Sequence, residues 1–193
     1  MNLVIINYNA GNTQSVTYAL QRLGVEPTLS EDPEVIRAAD KVIFPGVGEA
    51  STAMSFLKER GLDEVIKDLK QPVFGVCLGL QLMCRYSEEN DTECLGIFDI
   101  DVRKFAPQLK VPQMGWNTLT EMNSPLFDGL AEEPHVYFVH SYYAELSNHT
   151  IAKTDYINAF SAALHKDNFY ALQAHPEKSG KVGARILENF LRL

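Results

Sequence analysis

Three short apolar runs constrain this chain more than anything else in it. Leu3-Val4-Ile5-Ile6, Val42-Ile43-Phe44 and Pro72-Val73-Phe74-Gly75-Val76 are apolar on both sides of an extended backbone. Only a strand covered from above and below tolerates that pattern. Helical periodicity comes after each one. Asn12 is a candidate N-cap for a helix with Val16, Leu20 and Leu23 on one face, and Gly24 ends it. Further helices are expected from Ser51 to Glu59, from Leu62 to Leu69, and directly after Cys77, carrying Leu78, Leu82 and Met83. Strand alternating with helix implies an α/β fold with a doubly wound, mostly parallel sheet.

Beyond residue 100 the pattern changes. Segments at Ile100 to Phe105, Val136 to His140, Ile151 to Lys153, Phe160 to His165 and Phe169 to Gln173 read as strands joined by short turns. They are expected as antiparallel additions to the sheet. A closing helix from about Ser179 presents Val182, Ile186, Leu187, Phe190 and Leu191 as one apolar stripe. With no repeat, low-complexity stretch or Pro/Gly-rich linker, residues 1–193 are expected to form a single domain.

Composition removes several function classes. The net charge of −8 and the scattered Lys and Arg residues argue against a nucleic-acid surface, which needs clustered positive charge. No apolar stretch is long enough for a bilayer, and the N-terminus lacks a basic, signal-like region. The sequons at Asn90 and Asn148 are read as accidental. Three cysteines, 77, 84 and 94, form no C-x-x-C pair and no even-numbered framework, so a reducing, cytoplasmic setting is expected. No cofactor and no metal are expected.

One cysteine has a context. Gly75-Val76-Cys77-Leu78-Gly79 is G-x-C-x-G at a strand-to-helix junction, the sulfur counterpart of the G-x-S-x-G nucleophile turn. A turn that tight strains the nucleophile's backbone and leaves room only for small neighbours. A helix start favours thiolate and aims free N–H groups, Leu78 among them, at a developing oxyanion. Read alone, the motif fits a buried structural cysteine equally well. Cys84 is expected in the core, and Cys94 carries no functional signal.

Of the five histidines, only His175 has a specified role. Pro176 biases it to extended backbone, and residues two apart in an extended chain share a side, so Glu177 can orient its ring. Nucleophile, base and orienter at strand ends of one α/β chain make a triad. His140, before Ser141, Tyr142 and Tyr143, is expected to shape a pocket; His135, His149 and His165 are expected at the surface or in packing. Gly46-Val47-Gly48 resembles a dinucleotide fingerprint, but Ser51 stands at its third glycine and no acidic residue ends a strand at the right distance. A peptide segment able to turn an N–H toward an oxyanion is the better reading of those glycines.

With these pieces placed, the chain resembles the class I glutamine amidotransferases over essentially its full length. The resemblance rests on Pro45-Gly46-Val47-Gly48, Gly75-Val76-Cys77-Leu78-Gly79-Leu80-Gln81 and His175-Pro176-Glu177. Within that class, Asn7 to Asn12, Val111 to Asn117, His140-Ser141-Tyr142 and His175 to Ser179 are similar to the glutaminase subunits of imidazole glycerol phosphate synthase. Asn9, Gln113 and Ala174 depart from that pattern, where Gly, His and an aromatic are expected.

The resemblance implies hydrolysis of L-glutamine by Cys77, His175 and Glu177. It implies an oxyanion hole at Gly46, Val47 and Leu78, and head-group contacts from Gln81, Ser141 and Tyr142. Ammonia would pass to a separate cyclase subunit, a (βα)₈ barrel, in a heterodimer serving histidine biosynthesis. Asn12, Trp116 and Tyr137 would face that partner, although a lone Trp also fits a core. The glutaminase partner of pyridoxal phosphate synthase, or a catalytically silent binding module of the same fold, are the rival readings.

Overall fold

The computed structural model describes residues 1–8 and 11–193. The departure at Asn9 therefore lies outside the described residues. The first half runs β1 (Leu3–Ile6), α1 (Thr13–Arg22), β2 (Thr28–Ser30), α2 (Pro33–Arg37), β3 (Lys41–Phe44), α3 (Ala50–Glu59), α4 (Leu62–Asp68), β4 (Val73–Val76) and α5 (Leu78–Met83). The second half is β5 (Tyr86–Ser87), β6 (Thr92–Glu93), β7 (Asp101–Lys104), β8 (Gln113–Thr118), β9 (His135–His140), β10 (Tyr142–Ala144), β11 (Thr150–Tyr156), β12 (Asn158–Lys166), β13 (Phe169–Leu172) and α6 (Gly180–Arg192). No helix among the described residues is long and apolar enough to cross a membrane.

The three apolar runs are β1, β3 and β4, every residue of which is buried. They lie in a seven-stranded sheet of order β11-β12-β13-β4-β3-β1-β2. From β13 to β2 the strands are parallel, while β12 and β11 add on antiparallel. The side chains of each central strand split between two cores. Val4, Ile6, Val42 and Phe44 pack with α3 and α4, whereas Leu3, Ile5, Ile43 and Phe74 pack with α1 and α6. Phe190 of α6 stacks on Phe74 at 5.0 Å between ring centroids. Truncating such a buried ring costs roughly 3–5 kcal/mol.

Three expectations need correcting. The segment at 169–173, expected as an antiparallel addition, forms β13, which runs parallel to β4 inside the main sheet. The segments at 100–105 and 136–140 are strands but not part of the main sheet. β7 belongs to a four-stranded sheet of order β10-β7-β5-β6, and β9 pairs only with β8. Asn12 precedes α1, but its side chain makes no cap hydrogen bond; its amide is used elsewhere.

Parallel neighbours deliver their C-terminal ends to one edge, where open α/β sheets place sites. Here β3, β4 and β13 are adjacent, with Phe44 opposite Gly75 and Val76 opposite Leu172 in register. The segments leaving these three strands must therefore converge. They are Pro45-Gly46-Val47, Cys77, and Gln173 to His175.

Candidate active site

Cys77 sits between β4 and α5 with φ 53° and ψ −105°, a backbone conformation few non-glycine residues adopt. Small neighbours make that turn possible. A methyl group on Gly79 would overlap the carbonyl oxygen of Phe44, and one on Gly46 would overlap the Tyr8 hydroxyl. The Cys77 N–H is fixed by Leu172 O at 2.8 Å. Its thiol is only 6% exposed, and Sγ lies 3.8 Å from Val139 O and 3.6 Å from Gln173 Nε2.

His175 lies just past β13, on the neighbouring strand end. Its Nδ1–H donates to Glu177 Oε1 at 2.8 Å, and Asn12 Nδ2 donates to the same oxygen at 3.1 Å. Both partners of this pair are buried. The backbone is braced as well: His175 N donates to Tyr137 O at 2.9 Å, Ser179 Oγ donates to His175 O at 2.6 Å, and Tyr137 N donates to Ser179 Oγ at 2.9 Å. The Ser of the His-Pro-Glu-Lys-Ser run thus ties the base to β9.

Electrostatics derive from this packing. Burial pulls the His175 imidazole down, but the charge and hydrogen bond of Cys77, followed by Glu177, outweigh it and push the ring up to about 10. Burial also raises the Glu177 carboxyl, while His175 and then Asn12 more than offset this and hold it below its usual range. The group available to protonate a leaving amine is therefore charged and aligned. The other two thiols are kept protonated: burial raises Cys84 well above the ordinary thiol value and pushes Cys94 up to about 12.

Cys77 and His175 line one cavity of about 280 Å³, together with Val47, Leu78, Gln81, Ser141 and Tyr142. Glu89, His140 and Lys178 line it too. Gln81 Nε2 is occupied, donating to Tyr142 O at 2.9 Å and Gln173 Oε1 at 3.0 Å. Only its carbonyl oxygen remains to meet a ligand. His140 is neutral: burial pushes it down to about 4, with His175 adding to the effect. Its Nδ1 lies 2.7 Å from Tyr142 O, and its Nε2 lies 2.8 Å from Gln113 Oε1. Gln113 and Ala174 are buried behind the cavity wall, so these two departures lie outside the cavity lining.

Three placements differ from the sequence reading. Asn12, expected to face a partner, is 4% exposed and turned inward onto Glu177. Trp116 and Met114, by contrast, stand 57% and 58% exposed on β8, and Trp116 meets Tyr137 edge-to-face at 5.9 Å. That exposure excludes the core alternative for Trp116. Glu89 carried no motif and was missed; it sits in the turn between β5 and β6, and its Oε2 accepts the Ala50 N–H at 2.8 Å. The Leu78 N–H, expected to be free for an oxyanion, donates instead to Gly46 O at 3.2 Å.

The family model described as Glutamine amidotransferase class-I matches residues 4–193. The chain belongs to the class I glutamine amidotransferase family. This amidotransferase is 62% identical over 196 residues to the imidazole glycerol phosphate synthase subunit HisH of Bacteroides thetaiotaomicron, with all of each chain covered. It is 47% identical over 201 residues to the protein of the same name in Photorhabdus laumondii, again covering both chains fully. Among solved structures, one described as a glutamine amidotransferase superposes with a TM-score of 0.77 at 21% identity, over 98% of this chain and 97% of that one. The structure of PurLQS from Thermotoga maritima gives 0.75 at 14% identity, over 99% and 97%. These structures share the fold of the amidotransferase.

Proposed function

We propose that this amidotransferase is the glutaminase subunit of a cytoplasmic imidazole glycerol phosphate synthase. It hydrolyses L-glutamine and hands ammonia to a separate cyclase subunit, a (βα)₈ barrel, in a heterodimer. The observation that carries this reading is the shared cavity: the Cys77 thiol and the His175–Glu177 pair open into one space at adjacent strand ends. The identity to the HisH relatives supports the choice of acceptor chemistry.

The chemistry runs in two halves. The Cys77 thiolate attacks the side-chain amide carbon, and the tetrahedral intermediate collapses as His175 protonates the departing nitrogen, releasing ammonia and leaving a γ-glutamyl thioester. The neutral imidazole then takes a proton from water, whose oxygen attacks the thioester, and glutamate leaves with the thiolate restored. Glu177 holds the ring through Nδ1 in both halves. Gln81, Ser141 and Tyr142 contact the glutamine head group, and the Glu89 carboxylate pairs with its α-ammonium. Trp116, with Tyr137 beside it, anchors the cyclase. The Leu78 and Val47 N–H groups receive the oxyanion once the Gly46–Val47 peptide has turned, because a peptide that points its oxygen at Leu78 points its N–H away.

Treatment with a diazoketone analogue of glutamine, followed by mass spectrometry, tests the site. Cys77 is alkylated, Cys84 and Cys94 are spared, and Cys77→Ala abolishes both labelling and glutamine hydrolysis. Hydrolysis that survives Cys77→Ala, or a reconstituted complex with no glutamine-dependent cyclisation, would sink the proposal.

A further inference from the structure

Tyr8 lies after β1, beside the strand end that carries the oxyanion segment. It is 3% exposed, tilts against Phe44 at 5.1 Å, and its hydroxyl donates to the carbonyl oxygen of Pro45. The hydroxyl also presses on Gly46, where no side chain would fit. Burial, followed by the charge of Cys77, raises the phenol's pKa, so the group is a permanent donor and takes no part in proton transfer. Nothing in the two halves of the reaction uses it.

We infer that Tyr8 is a positioning residue that latches the oxyanion segment in its closed arrangement, with Gly46 O on the Leu78 N–H. The inference rests on the glutaminase reading. The hydrogen bond to Pro45 O holds the Pro45–Gly46 peptide in place, so the next carbonyl, Gly46 O, keeps its direction unless the backbone turns about Gly46. On the far side of the segment, Tyr8, Val47, Gly48 and Phe56 border a second cavity of about 190 Å³. The Val47 unit therefore has space to turn into when the latch yields. Substrate and partner must overcome the latch before both N–H groups face the cavity, and until then the latch holds the isolated subunit idle.

Tyr8→Phe removes one oxygen and keeps the ring in place. A hydrogen bond of ordinary net strength biases a two-state balance by about fivefold. Amide exchange of the isolated chain, followed by NMR, should then show Leu78 exchanging about fivefold faster in Tyr8→Phe, with Leu80 and Leu82 unchanged. In the complex with the cyclase, the ratio of partner-stimulated to basal glutamine hydrolysis should fall by a similar factor because the basal rate rises. A Leu78 exchange rate equal to wild type, or basal and stimulated rates falling together, overturns the latch. Absence of glutamine hydrolysis in the wild-type complex, by contrast, would refute the glutaminase reading and leave the exchange result standing on its own. A drop in thermal stability with uniform acceleration of all α5 amides marks a packing role and also overturns the latch.

Discussion

The amide nitrogen of Leu78 donates to the carbonyl oxygen of Gly46 across 3.2 Å, so the donor best placed to hold an oxyanion is already bonded. Under the proposed glutaminase reading, a nucleophile and base beside an occupied oxyanion site would wait for a signal that frees this donor. Losing one oxyanion donor costs about 10²–10³ in kcat. Glutamine hydrolysis by the isolated subunit is thus expected to rise by at least about a hundredfold when the cyclase is added; full activity in isolation would contradict this.

The Glu177 carboxylate is held from two sides, by His175 Nδ1 and Asn12 Nδ2. Glu177→Gln keeps the shape but removes the charge that fixes the tautomer, and kcat is expected to fall on the order of 10³–10⁴-fold. Asn12→Ala removes one charge-assisted hydrogen bond and is expected to cost about tenfold, mostly in kcat. Steady-state kinetics on the complex separate the two; an Asn12→Ala enzyme with normal kcat and weakened cyclase binding would return Asn12 to the interface.

Protonation of the site also stabilises the fold. His175 holds its proton more tightly when folded, so its contribution is complete below 6.5, the ordinary histidine value, and is lost as pH climbs through about 10. Glu177 behaves in the opposite sense, contributing above its ordinary value of 4.5 and losing its effect as pH falls below that. Melting temperatures are therefore expected to decline between about pH 7 and 10 in wild type and to decline less in Cys77→Ala, which lacks the charge that most raises the imidazole. Parallel curves for the two proteins would show the thiol and ring to be uncoupled.

Glu89 brings a carboxylate to the cavity wall while capping Ala50. Glu89→Gln keeps an acceptor for the Ala50 N–H but loses the charge. KM for glutamine is expected to rise roughly tenfold to a hundredfold with a much smaller change in kcat. A change confined to kcat would place the carboxylate in the chemistry rather than in ammonium binding.

Trp116 is 57% exposed, so Trp116→Ala is expected to shift folding stability by no more than about 0.5 kcal/mol. Loss of an aromatic anchor weakens an interface by about 2 kcal/mol, roughly thirtyfold in Kd. Titration calorimetry beside thermal melting distinguishes the two effects; equal losses in both would mean that the ring supports the fold.

The triad was readable because its parts are local in the chain. G-x-C-x-G announces a turn through its glycines, and His175-Pro176-Glu177 sets its own geometry over three residues. Neighbouring parallel strands then do the rest. Glu89 and Tyr8 were not readable, since each reaches the site through tertiary placement: one from the turn between two-residue strands, the other from the loop after β1. β8 alternates with its apolar side outward, Met114 and Trp116 exposed and Gln113 buried, so its pattern does not mark a buried face. The strands at 101–104 and 135–140 were recognisable as strands, but an apolar run does not name its neighbour, so their sheets were not. Asn12 is polar at a helix start, where capping is the ordinary expectation; only the fold reveals a buried carboxylate beside it.

β9 has one further consequence. The peptide oxygens of Tyr137 and Val139 touch the backbone N–H of His175 and the reactive sulfur, while the ring of Tyr137 lies beside the exposed Trp116. A protein gripping that outer surface would be pulling on the reacting groups' immediate neighbours, one backbone thickness away. Communication between docking and chemistry would then need no long relay through the interior.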